Sequence, residues 1–192
     1  MEASNQQDLM TRFDALEAQV AQLKRQVAEG LPKDQVSIIC FSGDWDRLFA
    51  ALTLASGALA MGQEVHLFFT FWGVPALRKG AKAGPCPPKD LSQAMMSGML
   101  PCGPCNAKLS KMNFLGLGKM MLRRLMKKQG VDDIDVLMRE VRELGAHIHL
   151  CETSAALFGL SKGELADNEE INQCGVATFM GHAMKSRFVL FI

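Results

Sequence analysis

Val36-Ser37-Ile38-Ile39-Cys40-Phe41-Ser42-Gly43-Asp44-Trp45 passes from a continuous apolar run, through a short polar turn, to the start of a helix. An apolar run of this kind, without alternation, suits a strand buried on both faces of a parallel sheet. The helix continues over Trp45–Met61, with Asp44 or Ser42 at its N-cap and Gly62 ending it. A second strand is expected over Glu64–Phe71, and Trp72–Lys79 reads as a short helix or loop. The pattern then repeats toward the C-terminus. Helices are expected at Leu115–Lys128 and Asp133–Leu144, a strand at His147–Cys151, and a short helix at Glu152–Phe158. A strand at Glu170–Gln173, a helix at Val176–Met184 and a last strand at Arg187–Ile192 complete the series. Strand–helix alternation predicts an α/β fold with three layers around a mostly parallel sheet of about five strands.

Two segments stand outside this alternation. In the first, Leu9, Phe13, Leu16, Val20, Leu23 and Val27 recur at spacings of four and three, which is a heptad seam. Residues 1–30 therefore form an amphipathic, coiled-coil-like helix, closed by Gly30-Leu31-Pro32, ahead of an α/β domain over 35–192. The regular seam favours self-association over a helix lying on its own domain. The second segment, at about residues 80–113, is rich in Gly, Pro, Met and Cys and reads as an irregular insertion.

With 192 residues, 48% of them apolar, the chain can bury a core without disulfide or metal staples. Such a composition excludes a disordered protein. The formal net charge of +1 conceals segregation: residues 1–34 carry −2, 35–131 carry +8 and 132–192 carry −5. No carboxylate lies between Asp90 and Asp132. Lys108, Lys111, Lys119, Arg123, Arg124, Lys127 and Lys128 crowd that interval, while Met120, Met121, Leu122, Leu125 and Met126 supply an apolar stripe. These bases suit a solvated face, or a docking surface for an acidic partner or anionic sulfur compounds. A nucleic-acid role is not expected, because aromatics do not interleave with the bases. The stripe leaves membrane-surface contact as a minor reading. The acidic, polar N-terminus lacks the layout of a signal peptide, and the longest apolar stretch, Leu48–Gln63, is short for a span. A soluble, cytoplasmic protein with reduced thiols is expected.

Thirteen Met, six Cys and no Tyr make the chain sulfur-rich, and the cysteines are its chemistry-bearing residues. Cys151 closes an apolar strand and precedes a short helix, so free backbone N–H groups should face its sulfur and stabilise a thiolate. It also falls at the carboxyl end of a strand, where open parallel sheets place their functional crevice. Thr153 and Ser154 are candidate hydroxyl donors to a bound sulfur oxyanion. Cys174, before Gly175, is a second crevice thiol, disfavoured as a thiolate by Glu169 and Glu170 nearby. Cys102-Gly103-Pro104-Cys105 has the spacing of a redox pair, but the strand and helix a thioredoxin needs on either side are missing. Such vicinal thiols can form a small-loop disulfide, or accept or resolve a persulfide, and the other reading is a loop whose cysteines do nothing essential. Cys40 reads as a core residue and Cys86 as an exposed loop thiol.

No cofactor or metal is expected. Ser42-Gly43-Asp44 lacks the glycine and lysine pattern of a phosphate loop. No second Cys-x-x-Cys follows Cys105. His147, His149 and Cys151 share one strand face, where histidines are ordinarily satisfied by hydrogen bonds.

Several ordered motifs resemble the DsrE/DsrF-like proteins of sulfur transfer, and more narrowly a longer cytoplasmic branch sometimes labelled a peroxiredoxin family protein. They are Ile38-Ile39-Cys40-Phe41-Ser42-Gly43-Asp44-Trp45-Asp46-Arg47, Phe68-Phe69-Thr70-Phe71-Trp72-Gly73 and Leu109-Ser110-Lys111-Met112-Asn113-Phe114. Cys151-Glu152-Thr153-Ser154 and Cys174-Gly175-Val176-Ala177 extend the set. The resemblance implies a flavodoxin-like three-layer fold, a homo-oligomer, and a sulfur-carrying cysteine at Cys151. It also implies a sulfurtransferase or sulfur carrier that holds a persulfide or thiosulfonate, with a small TusA-type carrier or a rhodanese as partner. Two other readings stand beside it. One is an oligomeric or membrane-peripheral scaffold without turnover, and the other a thiol–disulfide redox protein working through Cys102 and Cys105.

Overall fold

The first strand, β1, covers Lys33–Cys40, three residues earlier than the apolar run alone suggests. In the computed structural model it is followed by α1 (Trp45–Ala60), β2 (Glu64–Phe69) and a 3-10 segment, Phe71–Leu77. A second 3-10 turn covers Pro104–Asn106, and α2 (Leu117–Lys128) and α3 (Ile134–Glu143) follow. The chain closes with β3 (His147–Cys151), α4 (Glu152–Leu157), β4 (Ile171–Cys174), α5 (Val176–Ala183) and β5 (Ser186–Phe191). The structure describes residues 10, 12–13, 15–25, 33–79, 90–92, 95, 98, 100–112, 116–166 and 170–192. Cys86 and most of the seam's flanks, Leu9 and Val27 included, lie outside the described residues.

The strands order as β4-β3-β2-β1-β5. β1–β2, β2–β3 and β3–β4 are parallel pairs. Ser186 lies beside Ser37, and Ile192 hydrogen-bonds to Ile39 and Phe41, so β5 also runs parallel to β1. The sheet is parallel throughout, and the α/β three-layer expectation holds. Strands β1 to β4 are laid down in one direction and β5 returns to the far edge. Right-handed crossovers therefore send the β4–β5 connection, α5, to the opposite face from the earlier helices.

The two faces differ in chemistry. Alternate residues Val36, Ile38, Cys40, Val65, Leu67, Phe69, Ile148 and Leu150 pack under α1 and α3 as the main core. Phe68, Cys151, Cys174, Phe179 and Ala183 form a smaller cluster on the α5 side. The residues between them on that face are polar: Gln35, Ser37, His66 and His149 are all buried.

The motif residues meet where the strands end. The Trp45 N–H donates to Lys108 O at 2.8 Å, and Asp46 accepts from the Ser110 N–H at 2.8 Å and hydroxyl at 2.6 Å. These bonds hold the Leu109-Ser110-Lys111 segment against the start of α1. A Cβ on Gly43 would lie 2.2 Å from Trp72 O, and one on Gly73 would lie 2.1 Å from Cys40 O. Both glycines are required by close backbone approach.

Three sequence expectations change. Phe71 leaves β2, because it takes a positive φ of 47° and opens the 3-10 segment. Asp44 is the N-cap of α1 but makes no side-chain cap bond, since its carboxylate accepts from the Ser42 hydroxyl at 3.0 Å. On α2 only Leu122 and Met126 pack against the core, while Met120, Met121 and Leu125 are exposed.

Residues 1–33 form a separate compact unit from 34–192. Its described residues are helical at 12–13 and 15–25, and the seam residues Phe13, Leu16, Val20 and Leu23 are exposed. Among the described residues no helix is long and apolar enough to cross a membrane.

Gly73→Ala is expected to lower stability by about 2 kcal/mol or more, because the new methyl must displace backbone rather than a side chain. Gly57→Ala on α1, with open space around its Cβ, should instead add about 0.5–1 kcal/mol. Urea denaturation midpoints of the two variants check the contrast.

Candidate functional site

Cys151 is the last residue of β3 and the N-cap of α4. The strand ends there because the chain turns straight into the helix, which leaves the first amides of α4 without intrahelical partners. Cys151 is almost fully buried, and burial alone would raise its pKa. Hydrogen bonds outweigh that effect. The Ser154 hydroxyl and N–H, the Thr70 hydroxyl and the Thr153 N–H all serve the sulfur and bring its pKa below the ordinary thiol value.

The donors are themselves held in place. The Ser154 hydroxyl lies 3.0 Å from the Thr70 hydroxyl and accepts from the Phe71 N–H at 3.0 Å. Thr70 follows β2, so two neighbouring strand ends deliver donors to one sulfur. The Ser154 hydroxyl thus lies where the sequence expects it. Thr153 contributes its backbone N–H, and its residue is exposed. Thr70 was not among the candidates; its position just after an apolar strand, beside the crevice, is the signal that could have found it.

Cys174 is the register partner of Cys151 on β4. Adjacent strands lie about 4.8 Å apart, so the two thiols end neighbouring strands on one face. Burial, then the charges of Glu152 and of a Cys151 thiolate, raise the Cys174 pKa. Glu152 acts here, where the sequence pointed to Glu170 and to Glu169, which lies outside the described residues. Two adjacent thiols are thus driven apart in acidity, with Cys151 the more acidic of the two.

The remaining described cysteines are arranged otherwise. Cys40 sits in the main core, and burial pushes it up to about 12. Cys105 donates its S–H to Asp135 at the start of α3, and burial together with that carboxylate raises it to about 11. Cys102 is partly buried, its carbonyl accepting from Asn106 Nδ2 at 2.6 Å. Both thiols of the pair are free. The Cys102–Cys105 turn is tied to α3, on the main-core side, while Cys151 and Cys174 face α5. Lys119 of the basic interval donates to Ala107 O at 2.7 Å, and Arg123 pairs with Asp133. Two of the seven bases therefore hold the insertion and α3 together.

Against this geometry, residues 32–191 match the DsrE/DsrF/DrsH-like family. The chain belongs to that family. It is 38% identical over 158 residues to the uncharacterized protein YrkE of Bacillus subtilis (strain 168), covering 82% of this chain and 96% of that one. It is 30% identical over 162 residues to the sulfur carrier protein DsrE2 of Allochromatium vinosum, covering 84% and 100%. Among solved structures it is similar to the ychN protein from E. coli, with a TM-score of 0.50 and 14% identity. That likeness covers 82% of this chain and 98% of the other, and it shows the shared fold.

Hydrogen bonds to the thiolate lower the Cys151 pKa, so Cys151 should react with a small alkylating reagent at lower pH than Cys174, Cys105 or Cys40. Ser154→Ala and Thr70→Val each remove a donor and should move the Cys151 profile to higher pH. Site-resolved mass spectrometry across a pH series checks both the order and the direction.

Proposed function

We propose that the protein is a sulfur carrier or sulfurtransferase that holds sulfane sulfur on Cys151. The observation that carries this reading is the set of two hydroxyls and two amides around one strand-end sulfur, which favours the nucleophilic thiolate. Membership of the family supports it, as does similarity to a relative named a sulfur carrier protein.

The chemistry balances as two displacements. The Cys151 thiolate attacks the outer sulfur of a donor persulfide. A new S–S bond forms, the donor's S–S bond breaks, and the donor departs as a thiolate. An acceptor thiolate then attacks the outer sulfur of the Cys151 persulfide. The sulfur leaves on the acceptor and Cys151 returns as a thiolate, caught by the same four donors. Thiosulfate serves as donor by the same first step, with sulfite as leaving group. Cys174, raised in pKa by burial and by Glu152, is the weaker competitor for the donor. The acceptor suited to the second step is a small carrier-protein thiol of the TusA type or a rhodanese.

An oligomer fits the surface. Val176, Met180 and Met184 of α5 and Val189 and Phe191 of β5 are exposed, leaving the α5 side of the sheet with an apolar strip suited to a second copy of the chain. The redox reading through Cys102 and Cys105 fares less well, because Asp135 keeps the Cys105 thiol protonated.

The reduced protein, treated with polysulfide or thiosulfate and digested, should show an added 32 Da on the Cys151 peptide. Cys151→Ser should abolish the adduct, whereas Cys102→Ser and Cys105→Ser should leave it. A radiolabelled adduct should pass to a carrier thiol on mixing. A reversible Cys102–Cys105 disulfide with no adduct on Cys151 would sink the proposal. Analytical ultracentrifugation should give a mass above 21.0 kDa, reduced toward the monomer by Met180→Glu; a wild-type monomer rules out the oligomer.

A further inference from the structure

All four histidines of the chain gather on the α5 side of the sheet, next to the cysteine pair. His66 lies on β2, His147 and His149 on β3, and His182 in the last turn of α5. We propose that His66, His149 and His182 bind a divalent d-block cation of the zinc class, through one ring nitrogen each.

Three features of the geometry point to it. First, one ring nitrogen from each of the three lies within 4.8 Å of the others. His66 Nδ1 and His149 Nε2 are 3.0 Å apart. Tetrahedral zinc with Zn–N bonds of 2.0–2.1 Å spaces its ligand nitrogens by about 3.3 Å, so the pair needs to open only slightly. Imidazole nitrogens are favoured ligands for zinc, copper and nickel.

Second, the nitrogens that face away from the trio have partners. His66 Nε2 lies 3.0 Å from Glu64 Oε1, and His149 Nδ1 lies 3.8 Å from Cys174 Sγ. Metal-bound histidines commonly donate the other ring N–H to a carboxylate or a comparable acceptor, which fixes tautomer and orientation. Without metal, Glu64 accepts from His66 Nε2–H, so His66 Nδ1 accepts from His149 Nε2–H. Metal binding then requires one tautomeric shift: the His149 proton moves from Nε2 to Nδ1, toward the Cys174 sulfur.

Third, the ligands are rigidly carried. His66 and His149 are almost fully buried on adjacent parallel strands. The His182 carbonyl is pinned by Gln35 Nε2 at 2.9 Å and Ser186 Oγ at 3.0 Å. The His182 ring lies tilted against His66, with centroids 4.3 Å apart, and against His149 at 5.3 Å. Among the described residues, no hydrogen bond reaches its ring nitrogens.

The second trio, Glu64, His66 and His147, is more open. Glu64 Oε1 lies 3.0 Å from His66 Nε2 and 3.5 Å from His147 Nε2, a carboxylate bridging two ring N–H groups. It serves as outer support for the inner site. Three protein ligands leave the fourth zinc position open, as in catalytic rather than closed structural sites.

The test uses the full-length, tag-free chain with Cys102→Ser and Cys105→Ser, which removes the loop thiols as competing ligands. Equilibrium dialysis against zinc should give one bound ion per chain, and cobalt should give the visible absorption of a tetrahedral nitrogen-rich site. His182→Gln, at a partly exposed helix end where the fold tolerates change, should abolish the cobalt spectrum. Glu64→Gln should weaken zinc binding by roughly 10–100-fold as loss of outer support. His147→Gln should leave the cobalt spectrum in place. Cys151→Ser should bind zinc normally, which separates this site from the sulfur-carrying reading. No bound zinc, a cobalt spectrum surviving His182→Gln, or one lost in His147→Gln would overturn the proposal.

Discussion

The register of β3 between two parallel neighbours is the constraint on which the rest depends. Its two-residue period sends Ile148 and Leu150 into the main core and His149 and Cys151 to the α5 side. Pairing with β2 brings Thr70 and His66 alongside; pairing with β4 sets Cys174 opposite Cys151. A slip of one residue would turn histidine and thiol into the apolar core and expose Ile148 and Leu150 to the polar side. The hydrophobic effect therefore fixes the reactive sulfur indirectly, by penalising every other register of a five-residue strand.

Within that frame, thiol acidity follows from local partners and not from depth. Cys40 and Cys151 are both buried, yet one is pushed up and the other brought down. Cys40 has only apolar neighbours to offset its desolvation, whereas Cys151 meets four donors. Cys105 is less buried than either and pairs with a carboxylate, which holds its proton in place. The same element, sulfur, is thus made inert, nucleophilic or a hydrogen-bond donor by what lies within one shell of it.

The pattern of apolar runs and Gly breaks was enough to read the strand–helix alternation and the strand end at Cys151, because both rest on local spacing. The ends of elements were less legible. Phe71 looks like a strand residue in composition, but the close approach of Gly73 to Cys40 draws the chain into a 3-10 turn first. What the sequence hid was whatever depends on strand order. His66, His147, His149 and His182 span more than a hundred positions, and only the β2–β3 pairing and the return of α5 across the far face unite them. Thr70 and Ser154 are likewise eighty-four residues apart. The amphipathic stripe of α2 was legible, but its burial was not, since the core covers only Leu122 and Met126.

The pairing of the Thr70 and Ser154 hydroxyls at 3.0 Å has a consequence for the proposed loading of Cys151 with sulfur. Each hydroxyl carries a single proton and can rotate it without moving its oxygen. Facing a thiolate, both protons turn to the sulfur. Once the charge has moved to an outer sulfur, one hydroxyl can turn back to its neighbour, so no buried oxygen is orphaned in either state. The site changes its charge by spinning two O–H bonds while the backbone stands still. In a sulfur carrier of the kind proposed, filling and emptying the site would then call for rotation of these two hydroxyls and no movement of the backbone that carries them.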